Sequence, residues 1–120
     1  MSPSRRSHLL AIICASLAVF PLSLHGQRTV AELRTLAAQG KAAAQFNLGR
    51  LHVTGTGVAQ DDAAAARWYR LAAEQGHAGA QHSLGVRYDS GQGVPEDDAQ
   101  AVLWYRRAAQ QRHWEAQFRL

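Results

Sequence analysis

One internal repeat constrains this chain more than any other feature. Residues 41–76 lie over residues 77–112 at an offset of 36 positions with 18 identities. Ala44, Gln45, Leu48, Gly49, Gly55, Gly57, Val58, Asp61, Asp62, Ala65, Trp68, Tyr69, Ala72, Ala73 and Gln75 return in order, from Ala80 and Gln81 through Trp104 and Tyr105 to Gln111. The frame also extends outward. Ala37, Gln39 and Gly40 match the end of a unit, and Ala116, Gln117 and Leu120 match the start of another. Periods of roughly 20 to 50 residues belong to solenoids and propellers, and the pattern inside one unit decides between them.

Within a unit, Ala44, Leu48 and His52 recur every four residues, and Ala65, Trp68, Tyr69, Ala72 and Ala73 recur at three and four. That spacing gathers apolar side chains on one face of a helix, so each unit holds two amphipathic helices and the class is all-α. The stretches 55–58 and 91–94, each Gly-x-Gly-Val, separate the two helices. Asp61 and Asp97 stand where the second helix begins, as caps of its free N–H groups. Gly40 and Gly76 mark the sharp turn into the next unit. The predicted organisation is a partial unit over 27–40, full repeats over 41–76 and 77–112, and the start of a third unit over 113–120. Gly49, Gly85 and the many alanines allow close helix approach, while Trp68, Tyr69, Trp104 and Tyr105 fill the wider gaps. One unit cannot bury its own apolar face, so stability is shared between neighbours.

Residues 1–26 read differently. Arg5 and Arg6 precede an uncharged apolar run from Leu9 to Phe20, then Pro21 and a short polar stretch to Gly26, the layout of a secretory signal peptide. Export to the periplasm or the exterior is expected, with no membrane span left after cleavage and with Cys14 lost with the leader. The run is too short to cross a bilayer comfortably. From residue 27 onward, eleven basic residues face nine acidic ones, a dispersed excess that gives no reason to expect nucleic acid as a partner. A single Cys excludes an internal disulfide and a cysteine-built zinc module.

The strings Ala44-Gln45-x-x-Leu48-Gly49, Gly55-x-Gly57-Val58-x-x-Asp61 and Trp68-Tyr69-x-x-Ala72-Ala73-x-x-Gly76 resemble the Sel-one-like repeat, a relative of the tetratricopeptide repeat. The second unit carries Leu84-Gly85, Gly91-x-Gly93-Val94, Asp97 and Trp104-Tyr105 in the same places. The resemblance implies a right-handed α-solenoid of antiparallel helix pairs that acts as an adaptor for proteins or peptides. His52 stands where the family has Tyr and is read as its core substitute, and Arg112 stands where the family has Gly, so the last turn is expected to change. Cysteine-rich secreted relatives bridge each helix pair by a disulfide, and some were proposed to bind or hydrolyse β-lactams. This chain has no such cysteines.

In tetratricopeptide-like solenoids the first helix of each unit lines the concave face. Steps of 100° per residue place Phe46, Arg50 and Val53 on the non-core side of the first unit, and His82, Val86 and Asp89 on that of the second. Such a mixed face suits a short peptide or a helix. The remaining features point to structure. Asp61-Asp62 and Asp97-Asp98 read as caps and not as calcium ligands or acid–base pairs. His52, His77, His82 and His113 form no His-x-x-x-His pair, so no metal and no cofactor is expected. The glycine loops lack the Lys-Ser/Thr of a phosphate loop, and no nucleophile with a base stands out. Arg67, Arg70, Arg106 and Arg107 read as a solvated face. The leading function is an exported, non-enzymatic adaptor that binds a protein or peptide. Two others stay open: a self-associating protein that stacks through an apolar C-terminal end at Trp114, Phe118 and Leu120, and a β-lactam-binding or hydrolysing relative.

Overall fold

The computed structural model describes residues 29–118, with side chains described as far as Gln111. The leader expected over 1–26 lies outside the described residues, as do the side chains of Trp114, Phe118 and Leu120. Helices α1 (Val30–Ala38), α2 (Ala42–Thr54), α3 (Asp62–Glu74), α4 (Ala78–Ser90) and α5 (Asp98–Phe118) follow one another, with no strand among the described residues. Each packs on the next in sequence, through links that alternate between three and seven residues. Short links force antiparallel neighbours, and the result is an α-solenoid in which α2–α3 and α4–α5 are full pairs and α1 is a second helix of the same kind as α3 and α5.

Side chains start these helices where the sequence places caps. Asp61 Oδ1 accepts from the Ala64 N–H at 3.1 Å, and Asp97 Oδ1 accepts from the Gln100 N–H at 3.1 Å. Thr29 serves α1 in the same way, and His77 Nδ1 accepts from the Ala80 N–H at 3.0 Å. Each seven-residue loop closes on a backbone bond, from Asp61 N–H to the His52 carbonyl and from Asp97 N–H to the Tyr88 carbonyl.

The core is built of small residues around a few large ones. Ala65, Ala72, Ala80 and Leu84 are fully buried, with Tyr69, Tyr88 and Trp104 packed among them. A second cluster holds Leu33, Ala37, Ala44 and Leu48, with Trp68 leaning on it. The aromatic expectation therefore needs a correction. Tyr69 and Trp104 are buried, but Trp68, leaning on the first cluster, and Tyr105, at the edge of the larger one, are half-buried. His52 is not a core residue either: it is half-buried, with Nδ1 against the Ala59 carbonyl at 3.2 Å. Its counterpart Tyr88 is buried, and its hydroxyl accepts from the Arg70 guanidinium. Imidazole is too short to make that reach.

Glutamines stitch one unit to the next. Gln45, buried on α2, donates to the Ala37 carbonyl of the preceding helix at 3.2 Å and accepts from Gln75 at the end of α3 at 2.8 Å. One repeat on, Gln81 donates to the Ala73 carbonyl and accepts from Gln111. A buried primary amide needs such partners, and here they tie the C-terminal carbonyls of one unit to the first helix of the following one.

Two other features were not legible as read. Asp62 is more than part of a cap: it accepts from Arg87 Nη1 of the next unit at 3.2 Å, the one ion pair among the described residues. Arg87 is buried, shares Nη1 with Gln92, and leaves Nε without a partner. Its counterpart in the first unit is Leu51. Because a half-buried pair contributes little over an apolar replacement of similar size, Arg87→Leu should shift unfolding in urea by less than about 1 kcal/mol. Asp62→Ala, which leaves the guanidinium buried, should cost about 1–2 kcal/mol; equal losses for the two would show that the charge is not what matters.

The other feature is the last turn. Gly40 and Gly76 reverse the chain at φ +88° and +92°, a backbone that an L side chain adopts only with strain. Arg112 stands at the third such position, and no reversal occurs there. Helix α5 runs through it to Phe118, so the expected opening of a third unit at 113 continues α5 without a break.

Candidate functional site

The faces of α2 and α4 that carry the six residues meet where Phe46 touches His77, and on α2 Phe46 and Val53 pack against the core instead of turning away from it. On α2, the half-buried Phe46 ring rests 5.7 Å from Tyr69 and 4.6 Å from His77. The Arg50 guanidinium carbon stands 5.9 Å above the same ring, within cation–π range. Val53 is half-buried and packs against the core. On α4, His82 is exposed and stacks on Tyr105 at 5.4 Å. Val86 is 38% exposed, and Asp89 is exposed next to Tyr105.

The two units thus repeat an architecture with different chemistry. Phe46 on Tyr69 becomes His82 on Tyr105. Arg50 becomes Val86, and Val53 becomes Asp89. Burial holds the Tyr69 hydroxyl above its ordinary range, with Arg87 and then Arg50 pulling it back. For Tyr105, desolvation and then the Asp89 carboxylate act in the same upward direction. The charge on this face is therefore split, cationic at Arg50 and anionic at Asp89, and the two do not pair.

All six predicted residues fall on this pair of helices, but Val53 presents little surface. His77 was missed. It caps α4 and also supports the Phe46 ring, a role that only the packing of α2 against α4 creates. The arginines of the second helices are not uniformly solvated: Arg70 is half-buried on Tyr88, and Arg107 stacks over Trp104 at 4.7 Å. Among the described residues, Leu71, Val102 and Leu103 are the other large apolar side chains left exposed, on α3 and α5.

A separate hollow opens between α1 and α2, lined by Leu33, Leu36, Lys41, Ala43, Ala44 and Asn47. It contains none of the six. Among the described residues no three His, Cys, Asp or Glu side chains come together to hold a metal ion, and no helix is long and apolar enough to cross a membrane.

Comparison with known proteins places this architecture. The family model for the Sel1 repeat matches residues 42–77 and 78–113. A Sel1 repeat protein from Oxalobacter formigenes superposes with a TM-score of 0.67 at 40% identity, covering 68% of this chain and 63% of that one. A protective antigen of uropathogenic Escherichia coli strains, c5321, which displays an SLR fold, gives 0.68 at 42% identity, covering 71% of this chain and 18% of that one. Helicobacter pylori cysteine rich protein B gives 0.65 at 23% identity, covering 68% and 61%, and shares the fold. The chain spans less than two thirds of each of these structures. No curated protein matches it.

Proposed function

The chain belongs to the Sel1 repeat family, a family of helical-repeat scaffolds for protein interaction, and from that premise we propose that it is an exported, non-enzymatic adaptor. Its ligand is a protein or peptide segment, held on the face formed by Phe46, Arg50 and Val53 of α2 with His82, Val86 and Asp89 of α4.

One observation carries this reading. The positions buried in both units are identical, among them Ala44 and Ala80, Leu48 and Leu84, and Ala65 and Ala101, while the six positions of this face change in size and in charge. The first unit sets an aromatic ring under an arginine, and the second sets a histidine and a carboxylate against Tyr105. A face with Arg50 and Asp89 apart suits a segment carrying an acidic and a basic group at matching separation. The leader-like residues before position 27, with Arg5 and Arg6 ahead of the apolar run, support delivery out of the cytoplasm.

Capture from an envelope extract of the source organism tests the reading. A recurrent partner should be retained by the native chain and lost with Arg50→Glu or Asp89→Lys, both exposed positions, with thermal unfolding unchanged. Equal capture by both variants overturns the proposed face.

A further inference from the structure

The hollow between α1 and α2 can be understood from its counterpart one repeat on. Shifted by 36 positions, Leu33, Lys41, Ala43 and Asn47 become Tyr69, His77, Gly79 and Ser83. In that counterpart the Phe46 ring sits 4.6 Å from His77 and 5.7 Å from Tyr69. It lies so near the α4 backbone that a Cβ on Gly79 would stand 3.2 Å from Phe46. The hollow therefore has the form of a seat for the first helix of a pair, with α1 as the second helix, and it fits a side chain at the register of Phe46. Gln39 repeats the lesson. Its counterparts Gln75 and Gln111 donate to Gln45 and Gln81 of their own first helices, whereas Gln39, exposed as Gln75 is, donates no side-chain hydrogen bond among the described residues.

We propose that a second copy of this chain occupies the seat with residues 116–120. The stretch Ala116-Gln117-Phe118-Arg119-Leu120 repeats Ala44-Gln45-Phe46-Asn47-Leu48 with a single change, and it carries phenylalanine at the register the hollow requires. The stretch at the same register towards the N-terminus, His8-Leu9-Leu10-Ala11-Ile12, shares none of those residues. The backbone supplies the other half of the argument. Because α5 runs through Arg112 instead of reversing, it carries this first-helix sequence away from its own unit. An element that does not fold back is available to another copy, as in domain swapping. Phe118 of one chain then packs on Leu33 and Ala43 of the next, and Gln117 accepts from Gln39. The contact joins two different surfaces, so copies add head to tail.

Light scattering on the full-length chain, as processed by cells that express it, tests this across a concentration series. Circular dichroism of every variant confirms the helices. The native chain should gain mass with concentration. Phe118→Ala, and Ala43→Arg at an exposed position of α2, should each hold it at a single chain. Mixing the two variants should restore association and stop at about two chains, because the mixture has one intact surface of each kind. Arg50→Glu should leave assembly unchanged, which separates this interface from the proposed ligand face. A native chain of constant single-chain mass overturns the proposal and gives the hollow to the chain's own N-terminal segment or to a foreign helix. Assembly that survives both variants, or a mixture that stays monomeric, overturns it as well.

Discussion

Gly93→Ala should lower the unfolding free energy by about 3 kcal/mol or more, among the largest losses from any single methyl in this chain. Two costs combine at that position. Gly93 has φ +78°, where an L side chain is strained by about 1–2 kcal/mol. A Cβ there would also collide with the Asp62 carbonyl oxygen and stand 2.9 Å from the Ala63 nitrogen, so the loop after α4 could not keep its seat on the first turn of α3. Backbone does not move aside as a flexible side chain does. Gly76→Ala is the control, since Gly76 has φ +92° with no neighbouring atom within 4 Å of the added group. It should cost about 1 kcal/mol, from strain alone. Urea unfolding of both variants decides the point: equal losses would show that the loop re-seats and that the contact between units is soft.

Leu84→Ala is the second large effect, expected at about 3 kcal/mol. Leu84 is fully buried at the centre of the larger core, between Tyr69 and Ala72 of one unit and Ala101 and Trp104 of the next. Its truncation leaves a cavity that helices already in close contact cannot close. In a solenoid the loss falls on the coupling between neighbours, so the denaturation transition should broaden as well as shift. Leu103→Ala, at 39% exposure, should change stability by less than about 0.5 kcal/mol. Comparable values for the two leucines would contradict the core as described.

Much of this architecture could be read from the 36-residue period. Period and helical spacing together place four helices and their caps, because Asp61, Asp97, Gly55 and Gly91 act on their own neighbours in the chain. What escaped reading depends on contacts between units. Arg87 looks like an ordinary surface cation at a position where its counterpart is Leu51, and only the approach of the second loop to α3 gives it Asp62 as a partner. His77 reads only as a histidine without a metal partner until the fold shows it capping α4 with Phe46 against it. His52 occupies a tyrosine position, yet its reach decides its burial. The continuation of α5 follows from one residue: the period predicts a reversal at 112, and arginine lacks the backbone freedom of glycine. The six face residues were placed by helical steps alone, which locate a side but not how deeply Val53 sinks into it.

The glutamine stitches carry a consequence for how such a chain can lengthen. Each joins residues whose separation is the same in both units, eight positions back to a carbonyl and 30 positions forward to another glutamine. A tandem duplication of a 36-residue block from within the repeats renews every one of these bonds across the single new junction, wherever within the unit it starts. An insertion that is not a whole number of periods, placed between a glutamine and its partner, breaks at least one and strands a buried amide. Genetic copying in whole periods is thus the inexpensive route to a longer surface, and the internal amides act as a ruler that rejects the rest.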